Sequence, residues 1–84
     1  MNKNFTACIT TREGVIYESY PQKTFGGAKR WIKRMIEEDC PSILDAGIFS
    51  IKIIHKPTRT FVAGHYSPNK KDLHLWRPYE PFRF

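Results

Sequence analysis

A single helical period, flanked on both sides by the two-residue period of β-strands, constrains this chain more than any other feature. From Phe25 to Ile36 the apolar residues recur mostly at spacings of three and four, as on one face of a helix. Thr24 is suited to the N-cap, and Pro41 should end the helix because proline cannot continue the hydrogen-bond ladder. We therefore expect one helix between two sets of strands.

The segment before the helix has the pattern of two strands. Residues 5–11 alternate Phe5, Ala7 and Ile9 with polar or small residues, as in a half-buried strand. Residues 12–14 supply turn chemistry, and residues 15–20 consist largely of types that favour β-structure. These patterns predict an N-terminal hairpin.

The segment after the helix has the pattern of three strands. In the first of them, over residues 48–55, we expect Phe49, Ile51 and Ile53 to point inward and Ser50 and Lys52 outward. The remaining segments are a turn at 56–59, a strand over 60–66, a polar loop at 67–72 and a short last strand over 73–77.

The order ββαβββ within 84 residues allows one domain, because two cores cannot be built from so short a chain. The sequence therefore predicts an α+β fold, a single antiparallel sheet of four to five strands with one helix packed on one face. Pairing the first strand with the third makes every neighbour antiparallel, in the order 2-1-3-4-5. Residues 78–84 are expected to form an irregular aromatic tail that folds over an exposed edge.

The composition favours a folded protein of the cytoplasm. The chain is 40% hydrophobic and 14% aromatic, whereas disordered chains are poor in aromatic residues. Neither a membrane-spanning apolar stretch nor the apolar run of a signal peptide is present in the sequence. Cys8 and Cys40 are too few for a disulfide scaffold, and we interpret both as free thiols, with a disulfide as the alternative.

The charge balance points to an anionic partner. Fourteen Lys and Arg against eight Asp and Glu give a formal net charge of +6, which favours a polyanion or an acidic protein face and excludes imitation of DNA by carboxylates. The helix has basic residues in its first half and acidic residues at its end, the order that its macrodipole disfavours. The expected pairs Lys33–Glu37 and Arg34–Glu38 have the weaker orientation, so helix stability alone does not explain the pattern.

Two interpretations of the basic residues stay open. A binding surface is one, and a solvated face that keeps the protein soluble and its strands from aggregating is the other. On the sheet face away from the helix, Lys52 would lie with Ile54, Val62 and Trp76, a mixture suited to a protein interface or to stacked bases. The candidate contact residues for a partner or a nucleic acid are Lys29, Arg30, Lys33, Arg34, Lys52, Lys56, Arg59, Lys70, Lys71 and Arg77.

The sequence contains no motif for catalysis or for metal binding. His65 and His74 are expected to lie opposite each other on the last two strands, but no metal-ligand spacing accompanies them. No local motif makes Cys8 a nucleophile. We therefore expect no enzyme activity, no metal and no cofactor.

The element order and the start of the helix together resemble small phage and mobile-element proteins, in particular one family of type I-F anti-CRISPR inhibitors. That family shares a Leu-x-x-Ala-Lys-Arg helix start, which is Phe25-x-x-Ala28-Lys29-Arg30 in this chain. The chain departs from it in its longer segment 40–47 and in its aromatic tail. The resemblance implies a non-catalytic inhibitor that docks on the backbone subunits of a crRNA-guided surveillance complex and obstructs the groove where target DNA would pair.

The resemblance carries over two contact residues, Lys29 and Arg30. It implies a host protein complex as the partner and the cytoplasm of a bacterial host as the location. From the basic surfaces we also expect non-specific contact with DNA. We expect a monomer or a small homo-oligomer without membrane contact. The alternative function is a basic module that binds DNA or RNA directly.

Overall fold

The computed structural model describes residues 3–75 of the chain. Its strands and helices are β1 (Phe5–Thr11), β2 (Ile16–Glu18), α1 (Phe25–Arg34), α2 (Ser42–Ala46), β3 (Ile48–His55), β4 (Thr60–Ser67) and β5 (Asp72–Leu75). The end of the predicted fifth strand, with Trp76 and Arg77, and the predicted tail at 78–84 lie outside the described residues.

The five strands form one antiparallel sheet in the order β2-β1-β3-β4-β5, which confirms the predicted α+β class and strand order. The main helix, α1, packs on one face of this sheet. Its buried residues Ala28 and Ile32, with Ile36 just beyond its end, contact the core residues of β1 and β3. Thr24 caps α1 as expected, because its Oγ1 accepts a hydrogen bond of 2.9 Å from the backbone N–H of Gly27.

The face of the sheet under α1 holds the core. Ile9, Ile51 and Ile53 are at most 1% exposed. Val62 was expected on the opposite face, and that prediction was wrong. Val62 pairs with Ile53 across the antiparallel ladder and is buried, because residues directly opposite each other point to the same face.

Phe49 does not point into the core as predicted, since 71% of its surface is exposed. Two features of β3 explain the difference. The pairing of β1 with β3 shifts register between Thr10 and Thr11, and the pairing of β3 with β4 begins only at Ile51 and Gly64. Phe49 is therefore the extra residue of a β-bulge, and its side chain leaves the alternation that points Ile51 and Ile53 into the core.

The predicted helix up to Pro41 is interrupted. Regular α-helix ends at Arg34, and Met35–Asp39 forms a π-helical turn. The predicted pairs Lys33–Glu37 and Arg34–Glu38 are absent among residues 3–75, because the wider turn instead brings Asp39 Oδ2 within 3.5 Å of Arg34 Nε. The expected linker contains α2, a five-residue helix that buries Ile43 and ends at Gly47, where φ is +87°.

β2 is shorter than the predicted strand over 15–20. At each end of the β1–β2 ladder a hydroxyl replaces the backbone carbonyl as the acceptor. The Ala7 N–H donates to Ser19 Oγ at 2.9 Å, and the Val15 N–H donates to Thr11 Oγ1 at 3.1 Å. The side chains of Ser19 and Thr11 therefore end the regular ladder and limit β2 to three residues.

A buried phenol ties β4 to the π-helical turn. Tyr66 is 4% exposed, and its hydroxyl donates a hydrogen bond of 2.7 Å to Glu37 Oε2. Two causes together raise the pKa of Tyr66 to about 12: burial is the larger, and the bond to Glu37 is the second. The fold therefore disfavours the phenolate form of Tyr66. In an unfolded chain the pKa of a tyrosine hydroxyl is about 10.

This shift predicts how stability changes in alkali. The contribution of Tyr66 to the free energy of unfolding should be fully present below about pH 10 and should be lost as the pH rises toward about 12. The reason is that the Tyr66 hydroxyl loses its proton at a lower pH in the unfolded chain than in the folded one. Tyr66→Phe should lower the free energy of unfolding by about 1 kcal/mol at neutral pH. It should also make the free energy of unfolding fall less steeply with pH in alkali. Urea unfolding of both proteins between about pH 9 and 12 measures the two slopes, and equal slopes would contradict the assignment. Tyr17, whose pKa is raised mainly by its hydrogen bond with Cys40, is present in both proteins, so the comparison isolates Tyr66.

Candidate functional site

One end of the sheet gathers basic side chains from four separate segments. These segments are the residues before β1, the residues before α1, the first turns of α1, and the turn between β3 and β4. We call this surface the basic end, and it consists of Lys3, Lys23, Lys29, Arg30, Lys56 and Arg59.

Backbone and aromatic contacts join the four segments. Phe5 and Gln22 exchange two backbone hydrogen bonds of 3.0 and 2.6 Å, which hold the approach to α1 against the start of β1. The Lys56 N–H donates to the Asn4 carbonyl at 2.9 Å, so the turn after β3 lies beside the residues that precede β1. The Phe5 ring meets the edge of Phe25 at 6.0 Å between centroids. The positions of these cations therefore follow from the fold.

Most of the described carboxylates lie away from the basic end. Glu18 lies part-way along the β1–β2 ladder, opposite Cys8. Glu13, Asp39, Asp45 and Asp72 lie toward the opposite end of the sheet. Glu37 and Glu38 follow α1 and line a depression together with Arg30, but neither forms an ion pair with it. Within residues 3–75 no member of the basic end forms an ion pair. The charge of the protein is thus separated, and this end has a positive potential that attracts anions.

A shallow depression of about 480 Å³ opens on the basic end. Tyr20 lies at it, and 89% of this side chain is exposed. The other residues that line the depression are Lys3, Pro21, Gln22, Lys23, Thr24, Gly27 and Arg30. It combines three cations with an aromatic ring, which is the combination that nucleic-acid binding sites use.

The structure divides the predicted contact residues into groups. Lys29, Arg30, Lys56 and Arg59 come together on the basic end. Lys33 and Arg34 lie further along α1, where Arg34 is occupied by Asp39. The rest are elsewhere: Lys52 on the sheet face away from α1, Lys70 and Lys71 in the turn between β4 and β5, and Arg77 outside the described residues.

Sequence reasoning missed Lys3, Lys23 and Tyr20. The two lysines lie outside every periodic segment, at the chain start and just before the N-cap. The signal that could have found them was the predicted strand order itself, because it places the start of β1 beside the β3–β4 turn and the start of α1. Tyr20 was counted as part of a strand, and a strand pattern does not show which aromatic residue stays exposed.

Of the residues that the sequence placed on the sheet face away from α1, Lys52 and Ile54 lie there, Val62 does not, and Trp76 lies outside the described residues. Lys52 lies there with its Nζ 5.2 Å from the centre of the Phe61 ring, and Ile54 lies opposite Phe61. His65 and His74 are paired across β4 and β5 as predicted. No cluster of three or more His, Cys, Asp or Glu side chains that could hold a metal ion occurs in the part of the chain that the structure describes.

The two cysteines are not joined to each other. Burial is the main cause that raises the pKa of the Cys8 thiol above its ordinary value, and the neighbouring Glu18 adds to it. A raised pKa makes the thiolate scarce at neutral pH, and the thiolate is the nucleophilic form. Cys8 is therefore a poor nucleophile.

No known protein family, curated protein or solved structure matches the chain. Among residues 3–75, none of the helices has both the length and the apolar character needed to cross a bilayer. The basic end, with its clustered cations and the exposed ring of Tyr20, is the candidate functional surface of the protein.

Proposed function

We propose that this protein binds nucleic acid through the phosphates of its backbone, which contact the basic end. The observation that carries the proposal is the clustering of positive charge: six cations from four segments lie together, and none of them forms an ion pair within residues 3–75. Lysine and arginine that neutralise phosphates release condensed counterions, and this release favours binding. The role is binding without catalysis, since the depression is shallow and Cys8 is a poor nucleophile.

Salt dependence tests this proposal directly. Fluorescence anisotropy of a labelled DNA duplex should give affinities that fall steeply between about 50 and 200 mM salt. If all six cations contact phosphates, the slope of log K against log salt should approach about −5, because each contact contributes about −0.9. Undetectable binding at the lowest salt, or binding that does not change with salt, would contradict the proposal.

We propose as a second candidate the inhibitor of a crRNA-guided surveillance complex. The observation in its favour is that Lys29 and Arg30, the two residues that the resemblance carries over, both belong to the basic end. In this role the basic end docks on a host protein complex in the bacterial cytoplasm. The inhibitor then competes with target DNA for access to that complex.

A pull-down with purified type I surveillance complex, followed by a target-DNA loading assay, separates the two candidates. The inhibitor should associate with the complex and prevent DNA loading at salt concentrations where its own binding to bare DNA is weak. No association together with unimpeded loading would exclude the inhibitor role. Steeply salt-dependent binding to bare DNA, without any protein partner, would then support the first candidate.

A further inference from the structure

We infer that the depression on the basic end takes single-stranded nucleic acid, with one base stacked on the exposed ring of Tyr20. The inference rests on the proposed binding of nucleic acid and names its form. Among residues 3–75 Tyr20 is the most exposed large hydrophobic residue, at 89%, above Phe49 and Ile16. An aromatic ring so far out of the core has its face available to a ligand.

The backbone on both sides of Tyr20 is held in place. On one side Ser19 is buried, and its backbone N–H donates to the Ala7 carbonyl at 2.9 Å while its Oγ accepts from the Ala7 N–H. On the other side Gln22 is bonded to Phe5 through two backbone hydrogen bonds, and its side-chain Nε2 donates to the Tyr20 carbonyl at 3.0 Å.

Pro21 adds a fixed φ to this short segment. The ring of Tyr20 therefore projects from a pre-organised backbone. Ordering a mobile loop would reduce affinity, and a pre-organised segment avoids most of that cost.

The residues around the ring suit a nucleotide. Lys3, Lys23 and Arg30 line the depression beside Tyr20, so cations for phosphates and a ring for a base occur together. In a duplex the faces of the bases are covered by their neighbours, whereas a single strand can offer a base to an aromatic ring.

The test measures the affinity of a labelled oligothymidine and of a duplex of equal length by anisotropy. Tyr20→Ala should weaken binding of the single strand about ten-fold, in the range found when stacking aromatic residues are replaced by alanine. Binding of the duplex should change less than about two-fold, because its phosphate contacts remain. Tyr20→Phe, which keeps the ring, should bind the single strand like the wild type.

Two further variants control this test. Tyr20→Leu keeps an apolar side chain without a π-face and should lose as much affinity as Tyr20→Ala. Phe49→Ala removes another exposed ring of the described part of the chain, 71% exposed at the opposite end of the sheet, and should leave both affinities unchanged. Thermal unfolding of each variant checks that it is folded, as expected for substitutions at exposed positions.

The outcomes separate this inference from the function on which it rests. No loss of single-strand affinity in Tyr20→Ala, or an equal loss for the duplex, overturns the stacking role and leaves phosphate binding by the basic end intact. A wild-type protein that binds neither form at low salt overturns both.

Discussion

Replacing Lys23 and Arg30 together by glutamate is expected to weaken binding of duplex DNA on the order of 10- to 100-fold at physiological salt. Both residues line the depression on the basic end, and neither has a carboxylate partner among residues 3–75. Each reversal removes a phosphate contact and adds repulsion. The slope of log K against log salt should become shallower by about two, since each lost contact changes it by about one.

A matched variant separates position from total charge. Lys70→Glu with Lys71→Glu also removes two positive and adds two negative charges, so both variants lower the formal net charge from +6 to +2. These two lysines lie in the turn at the opposite end of the sheet. We expect them to change affinity less than about three-fold, through the long-range field alone. Equal losses in the two variants would mean that binding depends on net charge, which contradicts the basic end as the contact surface.

The second large effect is on stability. Ile53→Ala should lower the free energy of unfolding by about 2 to 5 kcal/mol, because it removes buried methyl groups and leaves a cavity. Ile53 is 0% exposed and lies in the central strand β3, between Ala7 of β1 and Val62 of β4. A domain of this size has a total stability of roughly 4 to 13 kcal/mol, so the variant would lose a large part of it.

Chemical denaturation of two companion variants checks the cavity explanation. Ile53→Val removes one methylene and should cost about 0.5 to 1.5 kcal/mol. Ile16→Ala makes the same substitution in β2, where the side chain is 64% exposed, and should cost less than about 1 kcal/mol. If Ile53→Ala and Ile16→Ala had equal effects, burial would not be the cause.

The parts of the fold that the sequence predicted well are those with a strong period or a strong boundary signal. The bounds of β3 were predicted as observed, because apolar and polar residues alternate over 49–53 and turn residues follow at 56–59. The start of α1 was marked by Thr24, whose side chain can satisfy an N–H group at the helix start. The strand order followed from the requirement that every neighbouring pair be antiparallel.

The parts that were missed depend on contacts between distant segments. The π-helical turn and α2 each have five residues, too few for a helical period to be recognised. Glu37 was assigned to a surface pair, whereas it bonds to Tyr66, which is 29 residues away in sequence. Val62 was misplaced because its face depends on its pairing with Ile53, and Phe49 was misplaced because the pairing of β1 with β3 shifts register between Thr10 and Thr11.

The candidate site also depends on contacts between segments that are distant in sequence. The sequence identified most of the cations as separate residues but did not group them, since the six members of the basic end come from four segments. Their grouping required the pairing of Phe5 with Gln22 and the contact between Lys56 and Asn4. The exposure of Tyr20 could not be predicted, because it depends on the anchoring of Ser19 and Gln22 on either side.

The hydroxyls of Ser19 and Thr11 have a consequence for the protein at high concentration. An outer strand with a long row of free N–H and C=O groups can recruit a strand from another molecule and begin aggregation. Here the two hydroxyls end the regular pairing of β2 after three residues, so a second molecule finds only a short template along this edge.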